Sequence, residues 1–228
     1  MPLPDRIAIP GFHALYRLFQ IFRGKKFKLI QRTLHPVDEK QHLAFDHLFD
    51  SALQSGPNTL IDYHLPYPKS DFLNYLCDQR GYVAHGSILP DLATLEPIRK
   101  SKDFFEFGNR QQIFASPDAL WAMWFAILNK DRISLTNNGC IRTGSGTRRV
   151  KYYFFGLPHN TQADLPFTDG TVYITKAEDF PDKRLIPLLY HLNAEIEEWG
   201  STTSVIPLAR LPVAPTDFPY LDQVQFAK

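Results

Sequence analysis

Two short segments in the middle of the chain carry residue types that could hold a ligand. The first is Tyr82-Val83-Ala84-His85-Gly86-Ser87. The second is Ile113-Phe114-Ala115-Ser116-Pro117-Asp118-Ala119, which runs straight into Leu120-Trp121-Ala122-Met123-Trp124-Phe125-Ala126. Each reads as a strand with a polar group at its end. A glycine after His85 lets a backbone approach a ligand closely. The imidazole could donate a hydrogen bond to a ribose hydroxyl, and the Gly86 backbone could pair with a carboxamide. Phe114 could stack on an aromatic ring. Ser116, at a helix N-terminus, could orient a ligand group, and Trp121, Trp124 or Phe125 could close the far side of a ring-binding slot. The plainer explanation of each segment is an ordinary strand end and a capped core helix. Together they outline a split pocket for a nucleotide.

The elements around these segments follow from spacing. Asp38 caps a helix over residues 37 to 54, with Leu43, Leu48, Phe49 and Ala52 as its apolar side, ended by Ser55-Gly56-Pro57-Asn58. Residues 60 to 64 form a strand stopped by Pro66 and Pro68. Ser70 caps a helix that carries Phe72, Leu73 and Leu76 through to Gln79, and Gly81 supplies a left-handed stop. Residues 88 to 111 read as a long irregular connection, a kind of loop that is often functional. Ser116 caps the next helix, with Pro117 in its first position and Asp118 in its first turn. Later strands are expected over 150 to 155, 171 to 175, 196 to 200 and 204 to 213, with Pro207 and Pro212 restricting the last to edge or bulged geometry.

In this order the motifs resemble the ADP-ribosyltransferase superfamily. His85-Gly86-Ser87 matches its His-Gly-Ser or His-Gly-Thr strand. Phe114-Ala115-Ser116, leading into the helix with Ala119, Ala122 and Ala126, matches its aromatic-small-hydroxyl strand; the aromatic, often Tyr in the family, is Phe here. The family then uses a late strand with a catalytic acid, often followed by an aromatic. Glu198-Trp199 is the best candidate, with Glu197 beside it. The resemblance covers short motifs between about residues 60 and 220.

The resemblance implies an α+β fold of split antiparallel β-sheets with flanking helices. It implies a catalytic domain over 59–228, preceded by a helical basic extension over 1–58. NAD would be the substrate, with no metal. His85 would hold a ribose, and the Gly86 backbone would pair with the nicotinamide amide. Phe114 would stack on nicotinamide, with Ser87, Ser116 and Phe125 supporting the pocket. Glu198 would stabilise the positive charge that builds on the ribose carbon. The acceptor of ADP-ribose could be protein, nucleic acid, a small molecule or water. On a strand, Glu197 and Trp199 share one face and Glu198 takes the other. Two other functions share this fold: an inactive nucleotide- or nucleic-acid-binding module, and an RNA 2′-phosphotransferase-like enzyme that would favour arginines in the pocket.

Composition narrows the alternatives. The 228 residues are 44% hydrophobic and 21% charged, enough to build a core. The net charge of +1 does not demand a polyanionic partner. Two basic stretches could still touch nucleic acid. One is the leader, with Arg17, Arg23, Lys25, Lys26, Lys28 and Arg32 beside a helical Phe12, Leu15, Leu18, Phe19, Phe22 pattern. The other is Arg142-Thr143-Gly144-Ser145-Gly146-Thr147-Arg148-Arg149, which also reads as a hairpin turn. Cys77 and Cys140 lack metal spacing and read as reduced thiols. No His-Glu-x-x-His, Gly-x-Ser-x-Gly or Gly-x-Gly-x-x-Gly motif occurs. There is no signal-peptide pattern and no apolar run of about 18 residues. A soluble, cytoplasmic protein without membrane contact is expected.

Overall fold

Among the described residues, alternating and helical patterns resolve into four α-helices and two sheets. The computed structural model describes residues 3–23, 28–32, 38–98, 107–133, 136–144, 149–161 and 166–227. The chain runs α1 (Asp5–Arg23), β1 (Ile30–Gln31), α2 (Glu39–Gln54), β2 (Thr59–Leu60), α3 (Lys69–Asp78) and β3 (Val83–Ser87). There follow β4 (Ile113–Ala115), α4 (Ala119–Ile127), β5 (Asn137–Thr143), β6 (Val150–Pro158) and β7 (Gly170–Thr175). The last elements are β8 (Asp182–Leu189), β9 (Ala194–Ser201), β10 (Ala209–Val213) and β11 (Gln225–Ala227). The protein is therefore of mixed α+β class.

The larger sheet has the order β1-β6-β5-β9-β4, with β11 on β6 and β8 on β9. The smaller has the order β2-β10-β7-β3. Most pairs are antiparallel; β10 with β2 and β11 with β6 are parallel. One edge of β9 pairs with β8 throughout. Its other edge is shared, with β5 at Glu195 and Ile196 and β4 from Trp199 to Ser201. Strand β4 thus leaves the larger sheet toward β3, the edge of the smaller one. Among the described residues one isolated antiparallel bridge, Ala84 with Ser116, joins the two sheets.

Helices α2, α3 and α4 pack their apolar residues into one core with both sheets. Phe45, Phe49, Phe72, Leu76, Met123, Trp124, Phe155 and Leu211 belong to it. Phe45 and Phe49, from the stretch expected to be an extension, are fully buried there. Helix α1 sits separately, with Phe12 against Tyr152 of β6 at 5.0 Å. The side chains of Leu18, Phe19, Phe22 and Arg23, and residues Lys25 and Lys26, lie outside the described residues.

Several boundaries differ from expectation for local reasons. Asp38 does cap α2, accepting from the Gln41 amide at 2.7 Å. Ser70 does not cap α3; the cap position is Pro68 and Ser70 is buried in the first turn. Nor does Ser116 cap α4. Pro117 follows it and Asp118 is still extended, so Asp118 is the cap and accepts from the Trp121 amide at 2.9 Å. Of residues 60 to 64 only Leu60 is in a strand, β2. The stretch 204 to 213 breaks at Pro207: Val205 bridges Leu95, and β10 begins at Ala209. Pro212 is accommodated because β2 pairs only with Ala209 and Arg210. Gly81 does take a positive φ, 73°.

Candidate functional site

The site is built where the sheets part. Ala84 and Ser116 exchange both backbone hydrogen bonds at 2.9 Å. In an antiparallel ladder the next such rung lies two residues on, at Gly86 and Phe114. That rung is not made. The Phe114 carbonyl instead lies 2.7 Å from His85 Nδ1. A carbonyl only accepts, so Nδ1 carries the proton, and the neutral ring presents Nε2 as an acceptor. The imidazole can therefore accept a hydrogen bond at Nε2 but not donate one there. The alternation that turns the Ala84 backbone toward β4 turns the Gly86 N–H and C=O the same way. Among the described residues no other backbone group takes them.

His85 is held largely neutral. Burial pushes its pKa down and Lys130 adds to this, against the opposing hydrogen bond to Phe114. Gly86 has a different purpose from the expected one on its Cα face. A Cβ there would lie 2.7 Å from the Ala126 nitrogen and closer still to the Ala122 oxygen. The glycine is what lets α4 lie against β3, while its backbone edge is turned toward β4. Ser87 accepts from the Leu89 amide at 3.2 Å and Ser116 from the Asp118 amide at 3.0 Å, so both hydroxyls shape turns.

The other ring and acid positions follow from register. Phe114 lies opposite Gly200, so Phe114, Gly200 and Glu198 share a face of the larger sheet. Glu198 is also opposite Arg184 of β8 and forms an ion pair with it. The Arg184 guanidinium lies over the Phe107 ring, 5.0 Å from its centroid, and Phe107 meets Phe114 edge-on at 6.0 Å. Glu197 is on the opposite face, where it pairs with buried Arg142 and accepts from Trp199 Nε1 at 2.6 Å. Trp199 packs there against the small core of Ile113, Ala115, Tyr173 and Val205. On α4 every residue is buried except Phe125. The Lys130 ammonium is 4.7 Å from the centre of the Phe125 ring, and its field reaches His85.

His85, Gly86 and Phe114 are thus adjacent, Glu198 lies on the Phe114 side of the sheet, and Phe125 connects through Lys130. Ser87 and Ser116 lie beside these residues, each oxygen accepting from a turn amide. The sequence reading missed Arg184, Phe107, Gln112 and Lys130. Gln112 is buried; it donates to the Phe107 carbonyl at 3.0 Å while its Oε1 has no partner among the described residues. Its spacing of two from Phe114 is the signal that places it on the same face.

Behind α4 lies an ion network. Lys151 bridges Asp118 at 2.8 Å and Asp78 at 2.7 Å, Arg32 joins Asp78 at 2.6 Å, and Tyr153 donates to Asp118 at 2.8 Å. Lys151, with the hydrogen bonds from Tyr153 and Trp121, holds Asp118 below the usual carboxylate range despite its burial. Arg142 is a strand residue, not part of a loop, and Thr143 pairs with Val150, so the basic stretch closes a hairpin. Ser145 to Arg148 lie outside the described residues.

Both cysteines are free thiols. Among the described residues no three His, Cys, Asp or Glu side chains group as metal ligands, and no helix is long and apolar enough to cross a membrane. No protein-family model, curated protein or solved structure matches this chain.

Proposed function

We propose that this chain is an ADP-ribosyltransferase-like enzyme that cleaves the nicotinamide–ribose bond of NAD. The reading rests on one observation above the rest: the missing rung between Gly86 and Phe114, with His85 Nδ1 in its place. An adjacent backbone donor and acceptor are complementary to a primary carboxamide, which has one of each on the same side. Nicotinamide would bind there with Phe114 on its face and Phe125 beyond. A ribose hydroxyl would donate to His85 Nε2.

In the reaction the C–N bond to nicotinamide breaks. Its electron pair returns to the pyridinium nitrogen, and positive charge develops on the ribose. Glu198, ionised, would stabilise that charge. An acceptor hydroxyl or amine, or water, attacks the ribose carbon and loses a proton to solvent or to Glu198. The products are nicotinamide and an ADP-ribosylated acceptor or free ADP-ribose.

A second reading keeps the pocket without the chemistry. Its supporting observation is the Arg184–Glu198 ion pair, which occupies the acid in this structure. Calorimetry with NAD, run beside nicotinamide release, separates the two: binding without release under any acceptor condition favours the second, and no binding excludes both. A release assay on RNA 2′-phosphate ends covers the phosphotransferase alternative.

A further inference from the structure

Glu198 is reached through a chain of contacts that also fixes Phe114. Arg184 is its direct cross-strand neighbour, and its Nη2 donates to Glu198 Oε2. The central carbon of the same guanidinium lies over Phe107, 5.0 Å from the ring centroid. Phe107 meets Phe114 at an interplanar angle of 70°. The Phe107 turn is itself seated: Gln112 Nε2 bonds its carbonyl, and Gln112 packs on Gly200, where a Cβ would lie 2.6 Å from Gln112 Cδ. Acid, guanidinium and two rings thus form one continuous set, on three strands and a short turn.

A carboxylate on a long side chain has several rotamers, and holding it in one costs entropy. A planar guanidinium held over an aromatic ring presents a rigid donor fork for that task, which an ammonium does not. We infer that Arg184, held over Phe107, is a positioning residue: it fixes the Glu198 carboxylate relative to the ring-stacking face of Phe114. This inference rests on the NAD-cleaving reading. It adds that Arg184 acts through Glu198 rather than on the dinucleotide's phosphates.

The test compares Arg184→Met, Arg184→Lys, Glu198→Gln and the Arg184→Met/Glu198→Gln double variant. It follows nicotinamide release from NAD, NAD affinity by calorimetry, and urea unfolding. Arg184→Met is expected to lower kcat about 100-fold, the scale of losing one organised electrostatic group, while NAD affinity stays within about 3-fold. Arg184→Lys keeps a charge and recovers about 10-fold of that loss. The double variant falls no further than Glu198→Gln alone in kcat, because in catalysis the two residues act as one unit; urea unfolding checks that each variant is folded. An unchanged kcat in Arg184→Met, with an active wild type, overturns the inference alone. So does a loss confined to KM and NAD affinity that adds to the Glu198→Gln effect. A wild type that releases no nicotinamide overturns the NAD-cleaving reading, and this role with it. If Arg184→Met fails to fold, the Arg184→Lys kcat and affinity decide by the same criteria.

Discussion

The imidazole of His85 takes the hydrogen bond that a continuing ladder would have given to Gly86: its Nδ1 lies 2.7 Å from the Phe114 carbonyl. One side chain thereby ends the seam between two sheets and leaves a backbone donor–acceptor pair facing the gap. The strands on either side are ordinary; the interruption is what leaves these groups for a ligand in the proposed reading.

Because this His is kept largely neutral by burial and by Lys130, folding should weaken in acid. Its folded pKa is below the unfolded value near 6.5. Between the two the unfolded chain binds more protons, so the stability it contributes is present above pH 6.5 and lost as pH falls through the folded pKa. The slope from this one group is at most about 1.4 kcal/mol per pH unit. Urea unfolding from pH 7.5 to 5 in wild type and His85→Gln checks this: the variant, whose amide can still donate to Phe114, should show a flatter dependence.

Gly86→Ala should cost about 3 kcal/mol, at the upper end for overpacking, because the obstacle is the backbone of α4. Gly170→Ala should behave alike, since a Cβ there would lie 2.7 Å from the Ala126 carbonyl carbon. Urea midpoints read both. Equal midpoints to wild type would mean that α4 is not seated on these glycines.

Removal of Asp118 should be among the costliest substitutions outside the apolar core. Asp118→Ala takes away the α4 cap and leaves Lys151 with Asp78 as its remaining carboxylate. Breaking a buried pair in this way costs about 3–5 kcal/mol. Asp118→Asn, which can still cap, should lose less. Thermal unfolding of the two variants provides the comparison.

The two neighbouring acids of β9 should separate cleanly. Glu197→Gln weakens the partner of buried Arg142 and is expected to lower stability by about 3 kcal/mol, with nicotinamide release per folded molecule within a few-fold of wild type. Glu198→Gln should do the reverse. Parallel release assays and urea curves check the exchange.

What could be read from sequence was whatever depended on near neighbours in the chain. Asp38 three residues before Gln41, Gly81 after α3, and the Val83 and Ile113 strands all follow from local spacing. Strand β5 escaped because Asn137, Asn138 and Gly139 disfavour strands by themselves, and only pairing with β6 and β9 makes one. Strand β8 escaped because Pro187 and its charges suit an edge. The alternation of Glu197 and Glu198 was legible, but which face meets Phe114 depended on the Phe114–Gly200 register. Arg184 and Phe107 could not be found this way, since each enters through a contact far along the chain. For the same reason the packing of the Gly86 Cα against α4 could not be read from the chain around it.

The most direct test of the account is nicotinamide release from NAD by the folded wild type and by Glu198→Gln, with NAD binding measured on both. The account predicts that both bind NAD, that the wild type releases nicotinamide, and that Glu198→Gln does so about 100- to 1,000-fold more slowly. Release at an equal rate by Glu198→Gln, or a wild type that neither binds NAD nor releases nicotinamide, would contradict it.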